Sequence, residues 1–300
     1  MSNHLAFVFP GQGSQSVGML ADCAEQYPIV METFSEASDV LGYDVWQLAA
    51  QGPADKLNQT EFTQPALLAA DIALWRVWCA EHEERPCVMA GHSLGEFAAF
   101  VAAEALVFGD AIKLVAQRGQ FMQAAVPSGE GAMAAIIGMD DQQVAVLCEQ
   151  AADGEVVTPA NYNSVGQIVI AGQRAAVERA VAAAKPAGAK LAKLIPVSVP
   201  SHCALMQPAA EQLAASLSEI KLNPPKIPVI QNVDMAVHTT PAEISHCLVE
   251  QLVKPVRWVG TIQAMQAQGI TDVIECGPGK VLAGLIKRIS RELTVRPVVT

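Results

Sequence analysis

Apolar residues along the chain fall into short unbroken runs separated by stretches with helical spacing. Leu5-Ala6-Phe7-Val8-Phe9 is such a run, closed by Pro10-Gly11-Gln12-Gly13, and it predicts a buried strand. Helical patterns follow, including one over about 65–80. A second short run, Cys87-Val88-Met89-Ala90, leads through Gly91-His92-Ser93-Leu94-Gly95 into a helical stretch over 94–105. Asp110 offers an N-cap for a helix running to about 124. The texture changes after Pro127-Ser128-Gly129. Strand patterns at 132–137, 156–160, 167–171 and 192–199 alternate with helical ones at 140–151 and 175–184. That β-α-β-β-α-β order is the ferredoxin-like signature. Beyond it, α/β alternation returns, with helices at 207–220, 244–252 and 281–291 and strands at 229–233 and 273–275.

The pattern therefore predicts an α/β fold in two parts. Residues 1–126 and 199–300 form a discontinuous, hydrolase-like large domain with a mainly parallel sheet, and 127–198 form an inserted ferredoxin-like small domain. A substrate is expected in the cleft between them.

Composition narrows this picture. The chain has 300 residues, 51% of them hydrophobic and 16% charged, enough for a substantial core. A net charge of −11 argues against general nucleic-acid binding. No apolar stretch is long and charge-free enough for a membrane span, because Glu96 and Glu104 interrupt the nearest candidate. Met1-Ser2-Asn3-His4 lacks the basic region of a signal peptide. The seven cysteines are odd in number and contain no C-x-x-C, which suggests neither a disulfide framework nor a zinc site. Buried thiols in a reducing cytoplasm are the simplest reading. Basic residues gather at Lys185, Lys190 and Lys193 and again from Lys280 to Arg296; solvated faces account for them individually.

The candidate chemistry starts at Ser93. A serine between two glycines at a strand-to-helix turn is the nucleophile-elbow pattern, and the new helix offers backbone N–H groups to a developing oxyanion. Acyl transfer through an acyl-serine is the reaction this implies. Of the six histidines, His4, His82, His238 and His246 have terminal, surface, loop or structural readings. His92 adjoins Ser93 but points away from it at such a turn, leaving it a supporting role. His202 follows an apolar strand, at the kind of strand end where α/β proteins build sites, and is the candidate base. No acid stands out to orient it: Asp110, Asp140, Asp141 and Asp153 all have cap or loop readings, and a backbone carbonyl is the alternative. Arg118 sits between apolar neighbours on a helix. It either snorkels to water or holds a carboxylate in two parallel bonds. The turns at Gly11-Gln12-Gly13 and Gly277-Pro278-Gly279 lack the full spacing of nucleotide-binding loops.

Phe9-Pro10-Gly11-Gln12-Gly13-Ser14-Gln15, Gly91-His92-Ser93-Leu94-Gly95-Glu96, Gln117-Arg118-Gly119, Val199-Pro200-Ser201-His202 and Gly277-Pro278-Gly279 occur in that order. With them the whole chain resembles the malonyl-CoA:acyl carrier protein transacylases of type II fatty-acid synthesis. The resemblance implies Ser93 as nucleophile and His202 as its base, oriented by the main-chain carbonyl at Gln251. It implies an oxyanion hole from the N–H groups of Gln12 and Leu94, and Arg118 as the clamp on the malonyl carboxylate. It also implies that Asn161, Asn163 and His92 lie along the substrate cleft. Malonyl-CoA and acyl carrier protein are then the partners, with no cofactor, no metal, no nucleic acid and no membrane. Lys190, Lys193, Lys287 and Arg288 are candidates to steer the acidic carrier protein. Three alternatives remain at this stage: a serine esterase or thioesterase, a non-catalytic carrier-protein-binding module, and an acyltransferase for another extender such as methylmalonyl. Phe97 and Tyr162 depart mildly from the family pattern, where tyrosine and phenylalanine are common.

Overall fold

The computed structural model describes residues 4–197 and 199–299. The expectations resting on Met1, Ser2 and Asn3, and the domain boundary expected at Ser198, lie outside the described residues. Among the described residues the strands in chain order are β1 (Leu5–Phe9), β2 (Val88–Gly91), β3 (Gly131–Ile137), β4 (Val157–Ser164), β5 (Gln167–Gln173), β6 (Leu191–Ile195), β7 (Val229–Ile230), β8 (Asp272–Glu275) and β9 (Thr294–Pro297). They form two sheets. One is a five-stranded sheet in the order β7-β2-β1-β8-β9, parallel at every pairing. The other has four strands in the order β4-β5-β3-β6, all antiparallel.

Why β1 reads as an unbroken apolar run is visible in the sheet. It is central, paired on both edges, and all five of its residues are buried, as expected of a parallel strand covered on both faces. The long helix Thr60–Glu81 lies against one face, with buried residues on nearly every side and Pro65 inside it. Phe7 meets Trp75 and Trp78 edge-on there, at 5.2 and 5.1 Å between ring centroids. The antiparallel sheet has its own core, built from Ile136, Val144, Leu147, Ile168, Ile170 and Val177 beneath helices Asp141–Ala152 and Arg174–Ala184. Asp140 starts the first of these helices with a capping box to Gln143, which satisfies two otherwise orphaned N–H groups. An isolated backbone bridge, Asn161 opposite Val256, joins the antiparallel sheet to the rest of the chain near the cleft. Tyr162 N–H donates to Val256 O and Val256 N–H to Ala160 O, both at 2.9 Å.

Several expected boundaries move. The helix expected to be capped by Asp110 begins at Phe108, with Val107 at the N-cap and Asp110 inside the first turn. An acidic side chain is favourable there too, beside the helix N-terminus. The strand expected over 192–199 ends at Ile195, because Pro196 has no N–H to give a ladder. The one expected over 229–233 keeps only Val229 and Ile230, since the next backbone N–H groups leave the ladder: Gln231 N–H donates to Ala236 O in a turn and Asn232 N–H to Glu96 Oε2. The helix expected over 94–105 stops at Ala102, and Glu104 takes a positive φ of 59°. β4 runs four residues beyond its expected end despite Pro159 and three polar residues, with irregular register on either side of Asn161. β9, a half-exposed edge strand, was not anticipated.

Candidate active site

The chain crosses from β2 to helix Leu94–Ala102 through Gly91, His92 and Ser93. This crossing is tight. A Cβ on Gly91 would lie 1.8 Å from the carbonyl carbon of Gly95, and one on Gly95 would lie 2.0 Å from the carbonyl oxygen of Phe9. Both clashes are with backbone, so only glycine fits. Ser93 sits at the apex with φ 53° and ψ −107°, a conformation that costs a non-glycine residue about 1–3 kcal/mol. Asn232 braces it: its Oδ1 accepts from Ser93 N–H at 2.8 Å and its Nδ2 donates to Gly91 O at 2.7 Å.

His202 lies opposite, in a turn after β6 and before the short 3-10 helix Ala204–Met206. This corrects the expected position directly after a strand: β6, in the antiparallel sheet, ends at Ile195, seven residues before His202. His202 is buried, with Nε2 2.8 Å from Ser93 Oγ and Nδ1 2.6 Å from the carbonyl oxygen of Gln251. A carbonyl only accepts, so Nδ1 carries the proton and Nε2 is left to accept from the serine hydroxyl. Gln251 is the C-cap of helix Pro241–Glu250. The last carbonyls of a helix lack intrahelical partners and carry the negative end of its dipole, which favours an imidazolium at this spot.

Burial holds the His202 imidazole down at about 3, reinforced by the Arg118 guanidinium and opposed by the bond to Gln251. The base is therefore neutral well below the ordinary histidine range near 6.5. The kcat/KM for acyl loading is expected to stay flat as pH falls from about 7.5 to about 5. A loss centred near 6.5 that persists in Glu96→Gln, a variant lacking the neighbouring carboxyl that itself titrates at about 7, would contradict this environment.

Arg118 does not snorkel. It is 1% exposed, and its guanidinium faces inward over the ring of Phe97, 5.4 Å from the centroid. Nη1 donates to Gln64 Oε1 at 2.8 Å, and Nη2 to Gln251 Oε1 at 2.9 Å and to Ser93 Oγ at 3.3 Å. Burial lowers its pKa to about 10, with Glu96 pulling the other way, so it remains a cation at neutral pH.

Beneath these groups lies a buried polar network that sequence reasoning missed. The carboxylate of Glu96 accepts from Gln231 Nε2 at 2.9 Å, from Asn232 N–H at 2.8 Å and from Gln251 Nε2 at 3.0 Å. Burial raises its pKa to about 7, against the pull of those three bonds and of Arg118. Gln251 is the hub: its carbonyl holds His202, its Oε1 holds Arg118, and its Nε2 reaches Glu96 and, at 3.1 Å, Ser93 O. One signal was available, since Glu96 is the single charged residue in the otherwise apolar stretch Leu94–Ala102. Gln64, Gln231 and Asn232 carried none, because their partners are distant in sequence.

A narrow cavity of about 180 Å³ opens over Ser93, between the two sheets. Gln12, His92, Arg118, Asn161 and Asn163 line it along with Ser93 and His202. Asn161 and Asn163 are alternate residues of β4 and face it together. His92 turns away from Ser93, with Nε2 2.8 Å from Asn163 Oδ1 and its ring edge against Trp258; burial lowers its pKa. Leu94 also lines the cavity and opens its helix, so its N–H has no acceptor within that helix. Gln251 stands behind the wall rather than in it. Tyr162 points the other way, against the antiparallel sheet's core. Lys190, Lys193, Lys287 and Arg288 are all exposed, and Arg288 donates to Gln167 at the start of β5.

The family model described as "Acyl transferase domain" matches residues 6–298. A malonyl CoA-acyl carrier protein transacylase of Escherichia coli K12 is 59% identical over 96% of this chain and 94% of its own length. Among solved structures, an acyl carrier protein S-malonyltransferase from Vibrio cholerae superposes with a TM-score of 0.96 at 58% identity, covering 98% of this chain and 96% of that one. A malonyl-transacylase solved in complex with a type II PKS acyl-carrier protein gives 0.97 at 53% identity, over 98% and 95% of the two chains.

Proposed function

The chain belongs to the malonyl-CoA:acyl carrier protein transacylase family of acyl transferases, and from that premise we propose that Ser93 is the residue it loads. The protein is an acyltransferase that moves a malonyl group from malonyl-CoA to acyl carrier protein. One observation carries the residue assignment. The Ser93 hydroxyl lies 2.8 Å from an acceptor nitrogen of His202 and 3.3 Å from a buried guanidinium. A base and an anion-binding group at one oxygen support the assignment.

The reaction runs in two halves. Ser93 Oγ attacks the thioester carbonyl of malonyl-CoA while His202 Nε2 takes its proton. The oxyanion forms against the N–H groups of Gln12 and Leu94; losing one such donor typically costs about 3–4 kcal/mol. The carbon–sulfur bond breaks, and the CoA thiolate leaves with the proton from His202. The phosphopantetheine thiol of the carrier protein then gives a proton to His202 and attacks the malonyl ester carbonyl; the ester carbon–oxygen bond breaks, and His202 returns the proton to the departing Ser93 Oγ. Throughout, Arg118 holds the distal carboxylate in two parallel bonds in place of the glutamine oxygens it meets in the free protein. Asn161 and the His92–Asn163 pair line the acyl group's path. No cofactor enters any step.

Two units carry this chemistry in our reading: a hydrolase-like large unit, 1–126 with 199–300, and a ferredoxin-like small unit, 127–198. The sheet order β4-β5-β3-β6 with helices on one side supports the second description. Seven free thiols support a reducing cytoplasm as the setting. Lys287 and Arg288 help attract the acidic carrier protein. Reversing both charges is expected to slow transfer to the carrier at low salt. Unchanged kinetics and salt dependence would remove them from the docking surface.

Intact-protein mass after treatment with malonyl-CoA alone tests the whole reading. A persistent adduct of one malonyl group, mapped to Ser93, is expected. Rapid release of free malonate would favour an esterase, and no adduct would favour a non-catalytic binding module.

A further inference from the structure

Away from the reacting serine, Asp234, His238 and Cys247 converge at the edge of the parallel sheet. We infer that these three side chains form a binding site for a borderline-soft divalent cation of the Zn²⁺ class. Their ligating atoms all lie within 4.8 Å of one another. His238 Nε2 is 2.7 Å from Asp234 Oδ2, and Cys247 Sγ is 3.9 Å from the same oxygen. A tetrahedral zinc ion with ordinary bond lengths holds such atoms about 3.3–3.5 Å apart. The first separation must open by about 0.6 Å and the second close by about 0.4 Å, while His238 Nε2 and Cys247 Sγ, within 4.8 Å of each other, close by at most about 1.3 Å, shifts that side-chain rotations provide.

The donor set chooses the ion. A thiolate, an imidazole and a carboxylate suit zinc, whereas magnesium and calcium prefer oxygen alone. Cys247 is buried, His238 half-buried and Asp234 exposed, so the group is walled on the protein side and open outward. Solvent water completes the fourth position. On binding, Cys247 releases its thiol proton to solvent, and the hydrogen bond between His238 and Asp234 gives way to two metal–ligand bonds. No C-x-x-C spacing marks the site, because its ligands come from the loop after β7 and from helix Pro241–Glu250.

The position gives the ion something to fix. Asn232, which braces the Ser93 elbow, lies two residues before Asp234. Gln251, which orients His202, donates its N–H to the carbonyl of Cys247 at 2.9 Å. An ion here pins together the two segments that support both halves of the candidate catalytic pair.

The test reads metal rather than activity, so it stands apart from the assignment of Ser93. The full-length protein is dialysed against ZnCl₂ and its metal content measured, then titrated with Co²⁺ while following thiolate-to-metal charge-transfer absorption. One zinc per chain is expected, with a cobalt–thiolate band and a higher Tm at saturation. Cys247→Ser and the milder surface change His238→Gln are each expected to weaken binding at least about tenfold, a loss of about 1.4 kcal/mol. Cys87→Ser, at a half-buried thiol elsewhere, is expected to leave it unchanged. Sub-stoichiometric uptake by the native protein, or equal uptake by native protein, Cys247→Ser and His238→Gln, would overturn the site.

Discussion

Ser93→Ala is expected to abolish malonyl loading, and His202→Ala to slow it about 10³-fold or more, because the serine hydroxyl is a weak nucleophile without its base. Ser93→Ala removes the attacking oxygen, and the adduct should vanish at any time of incubation. His202→Ala leaves that oxygen in place but strips its proton acceptor, 2.8 Å away. The hydroxyl that remains still faces Arg118, a cation that cannot accept a proton. The two variants combined should behave as Ser93→Ala does. His202→Ala also leaves the Gln251 carbonyl without its partner, at a cost of about 1–3 kcal/mol in stability, so Tm is measured beside the rate. Quenched time courses of intact mass supply the rate. A loss of only a few-fold in a folded His202→Ala would move the base elsewhere.

Arg118→Ala is expected to separate two acyl donors. Malonyl-CoA offers a carboxylate to the guanidinium, and acetyl-CoA offers none. Loss of a buried, hydrogen-bonded charge partner costs about 2–5 kcal/mol, so loading by malonyl-CoA should fall about 30-fold or more relative to loading by acetyl-CoA. The variant also leaves the Glu96 carboxylate with one fewer positive neighbour, and the protein is expected to lose stability. The ratio of the two donors, taken on one preparation, cancels that effect. Arg118→Lys keeps the charge and loses the planar fork, and it should fall between. Equal losses for both donors would show that Arg118 holds the site together without reading the carboxylate. That outcome has a structural basis, since Arg118 already bridges Gln64, Gln251 and Ser93.

What was legible in the sequence is what local patterning controls. β1 announced itself as an apolar run because it is buried on both faces, and the elbow announced itself because its glycines have no room for a Cβ. The β-α-β-β-α-β order could be read because Pro127-Ser128-Gly129 broke the chain and each element kept its own period. Ser93 and Arg118 stood out by residue type against their neighbours. His202 was found by a different route from the one the fold uses: the expected strand before it is cut short at Pro196, and the residue sits in a turn. The network of Glu96, Gln231, Asn232 and Gln251 was not legible. Its partners lie more than 130 residues apart in several cases, and no local rule pairs a glutamate on one helix with a glutamine at the end of another. β9 was passed over because an edge strand that is half exposed carries little apolar signal.

The group that orients His202 is a peptide carbonyl, and this affects what variation can reach it. Every amino acid at position 251 brings the same oxygen, so no single replacement deletes it. A scan of all point variants would register Ser93, His202 and Arg118, and would score position 251 only through the side chain that serves Glu96 and Arg118. The orienting atom would pass unseen. It can be moved only by changing how helix Pro241–Glu250 ends, through an insertion, a deletion or a shifted helix stop. Tolerance to insertions around residues 250–254, rather than tolerance to substitutions, is the measure of how tightly that oxygen is held.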